Sequence, residues 1–329
     1  MINDRIRHLV KLANFIQEDS AVLQLAMERA EQRNPWFTRE NIQFALHQIR
    51  DQFLQEDKLQ AFATSVPPFP EEKKKVGMVM AGNIPLVGFH DFLCGFLSGH
   101  SMKIKLSSKD DVLLPMLTHQ LIQMDKQYAG QIEYCELLKD CDAYIATGSG
   151  NSSRYFEYYF SRFPHIIRKN RTSVAILTGT ERVAELEALA DDVYRYFGLG
   201  CRNVTHLYVP EQYNFVPLLE AFRKYDYLKE HHKYRNNYDY NLALFILNKQ
   251  FYMCNDSLLL SENESVFSPI SVLHYSFYRD VEPVVNALKS MDTVQAVVGY
   301  GGLPFGVSQC PAMDVFADGV NTLQFLQSL

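Results

Sequence analysis

From Lys75 onward the chain alternates short strand-like runs with helix-length apolar segments, and this alternation limits its fold more than any other feature. "KVGMVMAG" reads as a strand, "LVGFHDFLCGFLSG" as a helix, and "SMKIKLS" as a second strand. The helix "LLPMLTHQLIQMDKQYA" follows, then short strands near "QIEYCEL" and "DAYIATG". Parallel neighbours need a crossover, usually a helix, so this order implies an α/β chain with a doubly wound parallel sheet. A second α/β stretch begins near "TSVAILTG" and runs to about residue 300, crossing "HHKYRNNYDYN", which reads as a loop rich in Tyr and Asn.

Residues 1 to about 65 read as helices. Apolar residues recur at helical spacing through Ile6, Leu9, Val10 and Leu12, and again through Ile42, Phe44, Ala45 and Ile49. Thr38 is placed to cap the second of these segments. The three prolines and the charge run of "SVPPFPEEKKK" break the pattern and mark an element boundary.

A chain of 329 residues is long enough for two or three domains. The net charge of −6 argues against a nucleic-acid partner, and Lys73, Lys74 and Lys75 read as a solvated loop because they directly follow Glu71 and Glu72. No apolar segment approaches the ~20 residues a membrane span needs. The N-terminus lacks the apolar core of a secretory signal. The six cysteines are widely spaced with no CxxC pair, the usage of a reduced, cytoplasmic protein. His231 and His232 have no metal ligand at useful spacing, so no metal site is expected.

Four short motifs carry candidate chemistry. In "ATGSGNSSRYFEYYF" a strand ends at Gly148 and Ser149 before an aromatic helix, whose free N–H groups could hold a phosphate or simply form a capped turn. Asn83 in "GNIPLVGF" stands between a strand end and a helix start, where it could cap the helix or direct its amide at an oxyanion. Lys105 closes the strand "KIK", at the edge where open α/β folds bind nucleotides, though a surface lysine is the plainer reading. Cys201 in "YFGLGCRNVTHLYVP" stands after two glycines and before Arg202 and Asn203. That setting leaves the backbone open for close approach and suits a reactive thiol, although cysteine is more often a small core residue.

Taken in chain order, these motifs resemble those of the aldehyde dehydrogenase superfamily. The resemblance implies that Asn83 helps bind the oxyanion, Lys105 the adenosine ribose, and Gly148 and Ser149 the cofactor, with Cys201 as nucleophile. "YFGLGCRNVTHLYVP", "SPISVLHY" and "FGVSQCPAMDVFADGVNTLQFL" are closer to the fatty acyl-CoA reductase branch that supplies aldehyde to bacterial luciferase, the LuxC-like branch. Two departures stand out. Hydrolytic members carry a Glu base before the nucleophile, whereas "PHIIRKNRTSVAIL" holds Arg168, Lys169 and Arg171 and no acid. A later family Glu that contacts the nicotinamide ribose is replaced in "ESVFSP" by Ser265, with Glu264 beside it.

The resemblance implies an aldehyde dehydrogenase-like fold, with a Rossmann-like cofactor domain and an α/β catalytic domain. The expected division is an N-terminal helical segment over 1–70, a cofactor domain over 71–170, a catalytic domain over 171–300, and a segment 301–329 that returns to the cleft. The implied activity is NADPH-dependent reduction of acyl-CoA, or another acyl thioester, to fatty aldehyde through a thioacyl-enzyme on Cys201. NAD is the alternative cofactor. The resemblance leaves room for an acyl-activating protein partner and for a homo-oligomer. Two rivals stay open: an NAD-dependent acylating aldehyde dehydrogenase running toward acyl-CoA, and a degenerate scaffold or acyl-carrier partner.

Overall fold

The computed structural model describes residues 2–64, 72–148 and 150–329. They form two compact units, one of residues 1–170 with 311–329 and the other of residues 171–310. No helix among the described residues is long and apolar enough to cross a membrane.

The first unit opens with four helices, α1 (Ile2–Gln17), α2 (Ala21–Arg33), α3 (Arg39–Gln48) and α4 (Glu56–Ala63). Thr38 caps α3 by accepting the Asn41 N–H, as its position in the sequence suggests. The chain continues through β1 (Lys75–Val79), α5 (Phe89–Ser98), β2 (Ser101–Lys105), α6 (Leu113–Met124), β3 (Ile132–Tyr134), β4 (Ala143–Thr147), α7 (Gly150–Phe160) and β5 (His165–Arg168). All five strands are parallel, in the order β3-β2-β1-β4-β5. One apolar core joins the N-terminal helices to this sheet, from Leu9 and Ile42 through Phe92, Phe96 and Ile104 to Leu326 near the C-terminus.

The second unit contains β6 (Thr172–Ile176), α8 (Val183–Tyr194), β7 (Val204–Pro210), α9 (Val216–Ala221), α10 (His232–Leu247), β8 (Met253–Cys254), β9 (Leu259–Glu262), β10 (Val272–Tyr278), α11 (Val281–Lys289) and β11 (Val294–Gly299). Its six-stranded sheet runs β11-β6-β7-β10-β9-β8, parallel except for the β8–β9 pair. After it the chain rejoins the first unit, where α12 (Thr322–Gln327) packs on α5.

One sequence expectation fails here. "HHKYRNNYDYN" is not a loop but the first part of α10. His231 caps the helix by accepting the Tyr234 N–H, and Tyr234 and Tyr238, one turn apart, are both buried. Arg235 and Asp239 pair at i,i+4 on the outer face. Asn237 and Asn241 donate to the carbonyls one turn back, so residues that usually favour turns reinforce the helix.

Candidate active site

In the first unit, three of the sequence candidates come to one edge. Val79 pairs with Lys105 across β1–β2 and with Ala146 across β1–β4, so the three strands end level. The Met80 N–H donates to the Lys105 carbonyl at 2.9 Å, and the chain then rises to Asn83. Gly148 follows β4 directly, its N–H 3.4 Å from the Arg168 carbonyl of β5. Strand order reverses between β1 and β4, and a reversal at the carboxyl edge opens the crevice in which such sheets bind ligands. Asn83 and Gly148 therefore flank the switch point, with Lys105 one strand away. Ser149 lies outside the described residues.

The segment after β1 is tightly seated. A Cβ on Gly82 would come within 2.6 Å of the Ser107 hydroxyl, so only glycine allows this approach. Leu86 takes a left-handed φ of 56°, and its N–H donates to Asp110 Oδ2 at 2.7 Å. Burial raises the Asp110 carboxyl to about 7, with Asp111 adding to the shift. Asn83 is exposed, and α5 is capped by Gly88 instead, so helix capping does not account for Asn83. Gly148 is constrained as well: a Cβ there would meet the Phe156 ring at 2.7 Å and Ser152 at 2.9 Å. The start of α7 is thereby held against the end of β4, a helix N-terminus beside the crevice.

Arg168 ends β5 and is buried. It reaches Asp91 of α5 through Nη2 at 2.6 Å and Nε at 3.2 Å, and donates also to the Thr322 hydroxyl and the Ala317 carbonyl. Burial works against the Asp91 charge, but the Arg168 guanidinium outweighs it and holds the carboxyl below the ordinary range. This cluster binds the C-terminal segment to the sheet of the first unit.

In the second unit Cys201 is half-buried, just before β7. The chain leaves α8 through Tyr196, Phe197 and Gly198, all left-handed at φ of 54°, 59° and 75°. Two such side-chain-bearing residues cost roughly 1–3 kcal/mol each, and burial of both rings offsets this, with Phe197 against His231 and Tyr234. Asn203, fully buried, closes the turn. Its Nδ2 donates to the carbonyls of Asp192, Val193 and Arg195, and its Oδ1 accepts the Gly200 N–H at 2.8 Å. From β6 the Ser173 hydroxyl donates to the Cys201 carbonyl at 3.1 Å. Burial raises the thiols of Cys94, Cys135, Cys141 and Cys310, whereas Cys254 is exposed on β8.

Glu264 is exposed in the segment between β9 and β10, close enough to the Tyr208 hydroxyl to add to the upward shift that burial imposes there. That segment folds back over the sheet. The Ser265 carbonyl accepts from Nδ1 of both His206 and His274, which are register partners on β7 and β10, and the Val266 carbonyl accepts from Thr205. A carbonyl can only accept, so both histidines carry their proton on Nδ1, and His206 Nε2 accepts from Ser276. Sequence reasoning passed over these histidines. The available signal was a histidine in each of two otherwise apolar strands, "VTHLYVP" and "VLHYSFY".

The fold is similar to that of solved aldehyde dehydrogenases. Aldehyde dehydrogenase 21 from Physcomitrella patens, in complex with succinate, has a TM-score of 0.70 at 11% identity, covering 100% of this chain and 84% of that one. KauB from Pseudomonas aeruginosa gives 0.67 at 13%, covering 91% and 72%. An aldehyde dehydrogenase from Bacillus cereus, in an NAD+ complex, gives 0.65 at 13%, covering 91% and 71%. Among curated proteins none matches the sequence significantly. The profile of the acyl-CoA reductase (LuxC) family matches residues 3–217, well over half of the chain. The chain belongs to the LuxC acyl-CoA reductase family. This LuxC-family chain thus belongs with acyl-CoA reductases, and its fold is the aldehyde dehydrogenase-like one expected from the sequence. The match reaches from the N-terminal helices past Cys201 into α9, so it includes Asn83, Lys105, Gly148 and Cys201 but stops short of Glu264.

Proposed function

We propose that this LuxC-family protein is a cytoplasmic, NADPH-dependent reductase that converts a fatty acyl thioester, with acyl-CoA as donor, to aldehyde through a thioacyl-enzyme on Cys201. The observation that carries this reading is the setting of Cys201, a half-buried thiol whose flanking main chain is held by Asn203 and Ser173. A nucleophile needs that combination of access and fixed geometry.

In the first step the Cys201 thiolate attacks the thioester carbon, and the Asn83 amide with the Cys201 N–H stabilises the oxyanion. The tetrahedral adduct collapses, the coenzyme A thiolate leaves, and the acyl group stays on sulfur. A bound nicotinamide cofactor would supply the hydride for the thioacyl carbon, and breaking of the carbon–sulfur bond then frees the aldehyde and returns the Cys201 thiolate. The edge of the first sheet suits such a cofactor: Lys105 offers an ammonium to a ribose hydroxyl or phosphate, and the N–H groups at the start of α7 offer a site for negative charge. Ser149 and Glu264 complete the proposed cofactor contacts. The preference for NADPH follows from the resemblance to the luciferase-associated branch.

Water discharges a thioacyl group only slowly when no positioned base activates it. Arg168 stands in the segment where hydrolytic relatives carry Glu, and its guanidinium is committed to Asp91, Thr322 and Ala317. It cannot accept a proton. The test is aldehyde formation from acyl-CoA by wild type and by Cys201→Ala, with NADPH and NAD compared. Loss of product in the variant with folding intact supports the reading, and near-normal turnover would refute it.

A further inference from the structure

The loop before Cys201 is built around one side chain. α8 ends at Tyr194, and the left-handed run at Tyr196–Gly198 that follows does not continue its hydrogen-bond ladder, so its last carbonyls need other donors. Asn203, from beyond the cysteine, reaches back to the Asp192, Val193 and Arg195 carbonyls at 3.1, 3.2 and 2.7 Å. The same amide accepts the Gly200 N–H, and the Asn203 main-chain N–H donates to the Gly200 carbonyl at 3.1 Å. Both polar groups of the residue preceding Cys201 are therefore held by Asn203. The Ser173 hydroxyl holds the carbonyl of Cys201 itself. Ser173 is anchored in turn, since its main-chain N–H donates to the Asn203 carbonyl at 3.0 Å.

We infer that Asn203, seconded by Ser173, is the positioning residue that fixes Cys201 for attack. The inference rests on the role proposed for Cys201, and assigns to Asn203 a task that needs a carboxamide. Three acceptors lie on one side of the group and one donor on the other. A carboxylate would satisfy Gly200 but turn oxygen toward three carbonyls, and an alkyl side chain would satisfy none. Asn203 does not touch the thioester. It acts by setting the angle at which sulfur meets the carbonyl carbon, where misplacement by about 1 Å can cost 10²-fold.

The experiment is single-turnover acylation by acyl-CoA without cofactor, followed by intact mass, in wild type, Asn203→Asp, Asn203→Ala and Ser173→Ala. A positioning role lowers the rate constant while the amplitude stays near one acyl group per chain. A merely structural role lowers the amplitude, because part of the protein is unfolded, and leaves the rate of the rest unchanged. The expected fall is on the order of 10²-fold for the Asn203 variants and roughly tenfold for Ser173→Ala. The Asn203→Asp rate, taken relative to wild type at the same pH, should recover partly as pH falls, when a protonated carboxyl can donate to the Arg195 carbonyl. Unchanged rate constants in folded variants would overturn the inference. If the Asn203 variants do not fold, Ser173→Ala decides it on the same criterion. Alkylation of Cys201 by iodoacetamide, in a Cys254→Ser background, separates this inference from its parent. Should wild type form no acyl adduct, the proposed function fails, and slower alkylation in the variants would still support positioning while equal alkylation would overturn it.

Discussion

Arg168 and Asp91 form a bidentate pair with side-chain exposures of only 4% and 11%. Removing one partner of such a pair leaves a buried charge uncompensated. Asp91→Asn is therefore expected to destabilise the protein by about 3–5 kcal/mol at neutral pH. The Asp91 carboxyl titrates below its ordinary value, so the contribution is present above that value and is lost as pH falls through the lower folded one. Urea melts of wild type and variant should converge in acid. A gap independent of pH would show that the carboxylate is not the stabilising species.

Asp110 has the opposite sign. Its folded carboxyl lies at about 7 against 3.8 for the free group, so the folded state binds the proton more tightly and stability falls as pH rises between the two. Asp110→Asn should gain roughly 1–3 kcal/mol at pH about 8 and much less at pH about 5, because an amide can still accept the Leu86 N–H. Thermal melts at the two pH values check this. A larger gain at the lower pH would contradict it.

The histidine clamp should loosen in mild acid. Burial lowers His206 to about 4 and also lowers His274, so the unfolded chain takes up protons first as pH drops below 6.5. Stability is then lost over the interval between 6.5 and about 4, by up to roughly 2–3 kcal/mol for His206. Hydrogen-exchange protection at residues 263–268, corrected for the intrinsic rate at each pH, should fall over the same interval. Constant protection there would rule out the clamp.

Lys105→Ala is expected to raise the KM for NADPH about tenfold, the scale of one lost charge-assisted hydrogen bond, with a smaller effect on kcat. Gly148→Ala should act similarly, since its Cβ would press on Phe156 and displace the start of α7. Steady-state kinetics at saturating acyl-CoA reads both. An unchanged cofactor KM in Lys105→Ala would place that lysine on the surface.

Much of this was legible in the sequence because it depends on local signals. The alternation of strand and helix from Lys75 to Ile176 follows hydrophobic period and turn residues, and Lys105 and Gly148 could be placed at strand ends and Asn83 between a strand and a helix. What depends on distant partners was hidden. Asn203 looked like half of a polar pair, since its partners lie as far back as Asp192 and are reached only through a left-handed turn at Tyr196 and Phe197. Arg168 read as a missing acid, while its role in holding the C-terminal segment needs Asp91 and Thr322, far away on either side. The α10 helix was misread because its Tyr and Asn residues suggest a loop until their burial and i,i+4 bonds are seen.

The thioacyl group on Cys201 is expected to be long-lived, with water discharging it only slowly. A positioned base commonly contributes ~10²–10⁴-fold to a hydrolytic step, and Arg168 offers none. The direct test is intact-mass spectrometry of the protein mixed with acyl-CoA in the absence of NADPH, followed over time and mapped by peptide. The expected result is one acyl group on Cys201 that persists, is released as aldehyde on adding NADPH, is discharged by free thiol, and is absent from Cys201→Ala. Rapid release of fatty acid without cofactor or thiol, or an adduct mapped to another cysteine, would contradict the account.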